Sequence, residues 1–518
     1  MAKTFSYLLV GVEIFPVEIE TVLGNGFSGL NILGLGTEAT RDMRERVRSA
    51  LESTGISIPA RRVVVNITPN ELIKMSRIPF SQLDFAVAAS IIYALFEEQE
   101  NQQSLCAPEK EFLAGELSLS GQLKEVQNAL IYESALSQEK ESMCLCLPKA
   151  NNNMSENDNL QFYATLLEWL NKRKMKDINV QKNKEKLSDK KISIIKNQLQ
   201  FFEKSSFFVS DIEENILLLM KNPKVCISLL AAAFGNHHIL VAGEPGIGKS
   251  FSLQKIPQFL IPLNQKEQLE VKLIHSLSGS VKRPFRSPHH SATPAALVGG
   301  SSLKPGEVSL AHCGVLFLDE LAEFSSPSLE SLREPLDAGE VFLSRAGGSI
   351  RYPAKFILCA TTNPCPCGFL FSKTKPCRCH PKESRKYLQK ISGPLLDRFC
   401  LQVWLDPHCD VMQQDVFSQY LFKIIENGKL KDFSYHFVNT KINYLNGSYN
   451  DDTVFDMKNL IKKNEKILSL SLRGQDKIIS VLQTFHAIFP EIICDENFLE
   501  SVLSYRILDK MFLQKNIF

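Results

Sequence analysis

The spacing of apolar positions changes character several times along the chain, and each change marks a block. Residues 1–34 are dense in β-branched and aromatic side chains, interrupted by Gly11, Gly24, Gly26 and Gly29. That pattern predicts two or three strands of an antiparallel sheet. From Thr37 to Ser53, Ala39, Met43, Val47, Ala50 and Leu51 fall on one helical stripe, while Arg41, Arg44, Arg46 and Arg48 lie on the other face. Arg61–Thr68 reads as a strand, Ser81–Phe96 as a largely buried helix, and Phe112–Leu119 and Met143–Leu147 as further strands. These elements predict an α+β unit over residues 1–165.

The pattern lapses over 166–207. Lys172, Arg173, Lys174, Lys176, Lys182, Lys184, Lys186, Lys190 and Lys191 outnumber Asp177, Glu185 and Asp189, and apolar residues are sparse. This is a basic linker: either a solvated connector or a strip lying against a nucleic-acid backbone. Helical spacing resumes at Asp211–Met220 and Pro223–Phe234. Three short apolar runs follow, His238–Ala242, Gly314–Leu318 and Phe356–Ala360. Such runs suit strands of a parallel sheet buried on both faces. From Asp410 the pattern is helical at Val411–Glu426, Asp456–Lys466, Gly474–Phe489 and Asn497–Gln514. Ile478, Ile479, Leu482, Phe485 and Ile488 form one stripe, read as core rather than as a binding face. The chain is therefore expected to be a multidomain α/β protein, with a parallel-sheet core at 208–405 and a helical domain at 406–518.

Composition narrows this only slightly. A chain of 518 residues has room for three or four structural units, and a formal charge of +2 gives no whole-chain argument for nucleic acid. The first residues lack an apolar segment ending in a small-residue cleavage site. The apolar runs near 83–96 and 225–234 read as too short or too interrupted to span a bilayer. A cytoplasmic protein without a membrane partner is the expectation. Of the thirteen cysteines, most stand isolated in apolar segments, as Cys226, Cys313, Cys359 and Cys400 do, so a disulfide framework is not indicated.

Chemistry enters where the first apolar run ends. Gly243-Glu244-Pro245-Gly246-Ile247-Gly248-Lys249-Ser250 joins a strand to the start of a helix at Phe251–Ile256. In that setting backbone N–H groups and a helix N-terminus can receive phosphates. Lys249 would reach the β- and γ-phosphates of ATP, and the Ser250 hydroxyl would ligate Mg²⁺. About 70 residues later the second run ends in Asp319-Glu320. Asp319 can hold Mg²⁺, and Glu320 can orient and deprotonate the attacking water. The third run is tipped by Asn363, placed to help position that water.

Cys365-x-Cys367 and Cys377-x-Cys379 are nine residues apart and interleaved with Pro366, Gly368, Pro376 and Arg378. Four thiolates on two tight turns can close a tetrahedron around Zn²⁺; the other reading is a reduced, metal-free insertion over 363–382. His380 is a conceivable further ligand. Arg283, Arg286, His289 and His290 lie in a proline-rich loop. The adjacent histidines are expected to point apart in a packed or pore-facing loop, with Lys282, Arg283 and Arg286 as the candidates to meet a nucleic-acid backbone or a neighbouring subunit.

Several of these stretches resemble one family. His275-Ser276, the segment from Arg283 to His290, Asn363-Pro364-Cys365-Pro366-Cys367-Gly368 and Ser392-Gly393-Pro394-Leu395-Leu396-Asp397-Arg398 look like signatures of the ComM/YifB branch of the Mg-chelatase-like AAA+ ATPases. A C-terminal match lies around Leu472-Arg473-Gly474 and Ser504-Tyr505-Arg506. Gly34–Gly36 through Arg48 and Gly115–Gly121 resemble the Lon-protease-like domain that heads this branch. The similarity covers nearly the whole chain, apart from the linker and residues 408–465.

The resemblance implies an AAA+ P-loop core, a C-terminal helical lid and a nucleotide-dependent hexameric ring. Arg398 would be the arginine finger offered to a neighbour, and Arg473 the sensor 2 residue, in cis or in trans. It also implies translocation on single-stranded or branched DNA, with branch migration in recombination or natural transformation. The Lon protease uses a Ser–Lys dyad. Here Asp84 stands in the apparent place of the Ser, and the segment for the Lys reads Val126-Gln127-Asn128-Ala129-Leu130, so no proteolysis is expected. A metal-insertion motor subunit of the Mg-chelatase type is the main rival, although the Asp-x-Ser-x-Ser metal site of such machines is missing. A scaffold with little turnover fits Glu320 poorly.

Overall fold

Alternation of apolar residues on β1 (Ala2–Val10) and β2 (Glu13–Gly24), with Gly11 at φ +66° between them, folds the first residues into an antiparallel hairpin. The computed structural model describes residues 2–69, 76, 79–98, 110–126, 132, 144–151, 159–174, 209–275, 281–300, 303–345, 348–405, 415–445 and 472–506. They divide into two compact units.

The first unit holds β1, β2, β3 (Gly29–Leu33), β4 (Arg62–Thr68), β5 (Glu111–Leu113), the short pair β6 (Glu116–Leu117) and β7 (Leu123–Lys124), β8 (Cys144–Pro148) and β9 (Leu160–Tyr163). Seven of these make one sheet in the order β3-β4-β2-β1-β5-β8-β9. The sheet is mixed rather than antiparallel: β3 runs parallel to β4, and β1, β5, β8 and β9 are mutually parallel neighbours. The helix α1 (Thr37–Ser53) explains the first of these, because a helical crossover returns the chain in the same direction. Its stripe of Met43, Val47, Ala50 and Leu51 is buried in one cluster with Val63, Val65 and Ile67.

Helix α2 (Asp84–Glu98) corrects one expectation. With its lead-in it is long and apolar enough to cross a membrane, but 72% of that window is buried inside the protein, as befits a core helix. At its start Asp84 is fully buried and accepts from Arg46 Nε at 2.6 Å, Arg46 Nη2 at 3.1 Å and the Leu117 N–H at 3.3 Å. Burial pushes its carboxyl up to about 7 against the pull of Arg46. The place of a nucleophile is filled by half of an ion pair. Of the segment read against the Lys, residues 127–130 lie outside the described residues.

Helix α3 (Leu166–Lys174) corrects another. Residues 166–174 read as the start of the linker, yet Trp169, Leu170 and Arg173 are buried in the first unit. Glu111 on β5 accepts from Arg173 Nη2 at 2.5 Å, Trp169 Nε1 at 3.1 Å and Tyr93 Oη at 2.6 Å. A cation with a buried partner far back in the chain cannot be told from a solvated one by local composition. The rest of the linker lies outside the described residues. The first unit also takes Gln265–Val281 and Phe342–Tyr352, so the range 208–405 is not one contiguous piece.

In the second unit β10 (Ile239–Gly243), β11 (Phe285–Arg286), β12 (Val315–Leu318), β15 (Ile357–Thr362) and β16 (Leu401–Leu405) form a parallel sheet in the order β11-β12-β15-β10-β16. Between β12 and β15 the chain makes a hairpin of β13 (Glu340–Arg345) and β14 (Gly348–Pro353). The runs β10, β12 and β15 are buried throughout, as continuous apolar strands require. Helix α4 (Pro223–Gly235) is buried on nearly every face and needs cover all round.

The C-terminal helices supply part of that cover. Val416–Glu426, Leu430–Leu445, Leu472–Ile488 and Glu496–Leu503 share one apolar cluster with α4 and the sheet, and Phe417 packs tilted or edge-on against Phe485, Phe489, Phe498 and Tyr505. The expected stripe is core: Ile478, Leu482, Phe485 and Ile488 are all buried. The helix Leu430–Leu445 was not anticipated, although Leu430, Phe433, Phe437 and Val438 have helical spacing. The helix expected at Asp456–Lys466 lies outside the described residues.

Candidate nucleotide site

The carboxyl ends of three adjacent parallel strands, β12, β15 and β10, meet at one edge of the sheet, where open α/β folds bind ligands. β10 ends at Gly243, and the chain turns through Gly246 and Gly248 into the short helix α5 (Lys249–Leu253). Gly246 and Gly248 have φ of +80° and +88°, which L side chains rarely adopt, and open space lies where their Cβ atoms would stand. Gly243 is glycine for a different reason. A Cβ there would lie 2.6 Å from Ile247 Cδ1 and 2.8 Å from the Leu405 carbonyl oxygen.

Lys249 is buried, and its Nζ donates to the carbonyls of Gly243 at 2.8 Å and Glu244 at 2.7 Å and to Asn363 Oδ1 at 3.0 Å. One cation thus ties the loop to the end of β15. Burial pulls the Lys249 ammonium down to about 8, against the opposing pull of Asp319, Glu320 and Glu244. Polyphosphate beside Lys249 favours its charged form, so binding above pH 8 must take up a proton. ATP affinity is therefore expected to fall as pH rises past about 8, by up to about tenfold per unit. Calorimetric titrations at pH 8.5 in buffers of different ionisation enthalpy would show the uptake; identical apparent enthalpies would contradict it.

Ser250 Oγ donates to Asp319 Oδ1 at 2.7 Å. The same oxygen accepts from Thr361 Oγ1 at 2.5 Å, and Thr361 Oγ1 accepts from the Glu320 N–H at 3.0 Å. Glu320 is exposed and sits at φ +54°, an uncommon conformation for a non-glycine residue and one found at functional sites. Thr361 lies inside an apolar strand, and its one sequence signal is the pair of threonines that closes the buried run. Thr361→Val should break both contacts and lower turnover about tenfold. Steady-state rates against Mg²⁺ concentration check this, and an unchanged rate would show that Thr361 only packs.

The donor set fits a nucleotide and its metal. The glycine turn offers a concave backbone, Lys249 a cation, and Ser250 and Asp319 two oxygens already in contact, which would hold Mg²⁺. Comparison with known proteins agrees. The family described as "Magnesium chelatase, subunit ChlI" matches residues 220–412, and "Subunit ChlI of Mg-chelatase" matches residues 19–151. The chain is 31% identical to the "Competence protein ComM" of Haemophilus influenzae over 538 residues, covering 99% of each chain. It is 30% identical to the "Uncharacterized protein YifB" of Escherichia coli over 529 residues, covering 97% of this chain and 96% of that one.

The chain belongs to the ComM/YifB family of Mg-chelatase-like proteins.

It is an ATPase of that family. In this ComM/YifB chain Arg398, expected as a finger, is buried, donating through Nη1 to the Pro394 carbonyl at 2.5 Å and through Nη2 to Asp337. Arg473 lies on the helix Leu472–Ile488, but its side chain is outside the described residues. Arg283 donates at 2.5 Å to the carbonyls of Ile261 and Cys313, and Arg286 makes a two-point pair with Glu307 at 2.7 and 2.8 Å. Both guanidiniums are thus engaged within the chain, as the packed-loop reading expects. His289 and His290 do not point apart, since their ring centres are 4.0 Å apart on an exposed turn.

The four cysteines of the insertion converge, with all their sulfurs within 4.8 Å of one another. Cys365 Sγ lies 3.4 Å from Cys367 Sγ and 3.7 Å from Cys377 Sγ, and Cys367 lies 3.6 Å from Cys377. Thiolates bound tetrahedrally at 2.3 Å to Zn²⁺ stand about 3.8 Å apart, so the set fits that ion. Burial opposes ionisation of Cys367, but the backbone N–H groups of Arg378 and Phe369 pull its thiol down to about 6. His380 is not among the converging ligands. Its side chain caps the helix Pro381–Leu388, with Nδ1 accepting from the Lys382 N–H.

Proposed function

We propose that this protein is a cytoplasmic, ring-forming AAA+ motor that hydrolyses ATP to remodel DNA, acting as a helicase in branch migration during recombination or natural transformation. The observation that carries the motor half is the joined site, in which Lys249, Asn363, Ser250, Asp319, Thr361 and Glu320 converge at adjoining strand ends. In it Lys249 and the loop bind phosphates, Asn363 and Glu320 hold the attacking water, and Glu320 accepts its proton. Bound Mg²⁺ supplies neutralisation of the developing phosphoryl charge. Arg398 acts in this reading on the nucleotide of the next subunit of a homohexamer, and Arg473 serves as sensor 2. The first unit is a Lon-protease-like domain without proteolysis, the C-terminal helices are the lid, and the four cysteines hold a structural zinc.

The DNA half rests on likeness along the whole chain to a protein named for competence. The rival, a metal-insertion motor subunit, is supported over a smaller share. The chain is 33% identical to the "Magnesium-chelatase 38 kDa subunit" of Acidiphilium rubrum over 66 residues, 13% of this chain and 19% of that one. Purified protein is expected to hydrolyse ATP faster with forked or four-way-junction DNA and to unwind the junction at low salt, beside an inactive Glu320→Gln control. ATP turnover indifferent to DNA, with intact junctions, would overturn the DNA reading and leave the ATPase standing.

A further inference from the structure

The four-cysteine turn touches the phosphate loop. Gly368 stands at φ +82°, and a Cβ built on it would lie 2.4 Å from Pro245 Cγ and 2.5 Å from Pro245 Cδ. The backbone of the turn is therefore laid against the proline ring at a separation that any side chain would prevent. The turn is closed by the Gly368 N–H donating to the Cys365 carbonyl at 2.9 Å, and by the Cys367 N–H donating to Cys379 Sγ at 3.3 Å. A second anchor lies on β16, where Phe371 meets Trp404 edge-on with ring centres 5.4 Å apart. The first cysteine of the insertion stands two residues after Asn363, whose Oδ1 accepts from Lys249 Nζ. It thus reaches the nucleotide site at both Asn363 and Pro245.

Apart from the Phe371–Trp404 contact and the hydrogen bonds around Ser372, the outer part of this insertion has little packing to hold it. Lys373, Thr374, Lys375, Pro376 and Arg378 are exposed, and only Cys365 of the four thiols is fully buried. A segment with so little apolar burial depends on a cross-link for its order.

We infer that a zinc ion closing Cys365, Cys367, Cys377 and Cys379 acts as a positioning element of the ATP site, with Gly368 pressing on Pro245 to hold the phosphate loop in its binding shape. The inference rests on the zinc reading given under the proposed function. Loss of the metal releases Gly368, Pro245 gains freedom, and the loop must be ordered anew when nucleotide binds, which weakens affinity.

The test uses the full chain and two readouts, zinc content and the Kd of a slowly hydrolysed ATP analogue with Mg²⁺. Gly368→Ala is expected to keep about one zinc per chain and to weaken analogue binding about tenfold, since its Cβ forces the turn off Pro245. Adding Pro245→Ala removes the ring that the new Cβ strikes, so the double variant should recover part of the loss; a misfolded single variant would show no such recovery. Wild-type protein stripped of zinc by an organomercurial and a chelator should show the same weakening, reversed when zinc is returned. Zinc that is bound but whose removal leaves the Kd unchanged, or a Gly368→Ala chain with wild-type Kd, overturns the coupling and leaves the zinc site intact. Wild-type protein that neither carries zinc nor takes it up overturns the zinc reading, and the inference with it.

Discussion

Glu320→Gln should lower ATP turnover by about two to three orders of magnitude while leaving nucleotide binding close to wild type. Glutamine keeps the size of the side chain, and the backbone contact that places the residue, from the Glu320 N–H to Thr361 Oγ1, does not involve the carboxylate. The change therefore removes a proton acceptor without disturbing the scaffold. Lys249→Ala makes the contrast, because Lys249 joins Gly243, Glu244 and Asn363, and its loss takes away both the phosphate cation and the tie across the site. Single-turnover hydrolysis beside equilibrium binding separates the two. The glutamine chain should bind and not cleave; the alanine chain should do neither. If Glu320→Gln turns over ATP at more than about a tenth of the wild-type rate, another group is the base.

Much of this site was legible because its residues sit at the ends of apolar runs. Gly243–Ser250, Asp319, Glu320 and Asn363 each stand where a buried parallel strand stops, and that punctuation survives in a linear text. What depended on distant partners was not legible. By local composition Arg173 is one more charge in a basic stretch; its partner is Glu111, itself held by Trp169 and Tyr93 from elsewhere in the unit. Arg283 and Arg286 looked available to a partner, yet backbone carbonyls and Glu307 hold them. The parallel pairing of β3 with β4 was hidden for another reason. Strand pattern reports which residues face the core, and direction is set by the connection, here a helix. The contact of Gly368 with Pro245 left no trace beyond a glycine.

Arg398→Ala is expected to reduce turnover about a thousandfold, and mixing should restore part of it. In a ring where each subunit lends its finger to the next, an Arg398→Ala chain keeps a sound phosphate loop and a Lys249→Ala chain keeps a sound finger. A random mixture then contains about a quarter of sites with both halves present. Either variant alone should stay silent. The structure adds a condition, because Arg398 is tied to the Pro394 carbonyl and to Asp337. To reach a neighbour it must leave Asp337, whose side chain is 43% exposed. The pair is open to water on the Asp337 side, so a neighbour's nucleotide phosphate can replace that carboxylate as the partner of Arg398. Asp337→Ala should therefore leave turnover largely intact or raise it. The opposite result has a clear meaning too. If the mixture stays silent and both Arg398→Ala and Asp337→Ala melt several degrees lower, the pair is a structural brace, and the trans finger must be sought on another residue.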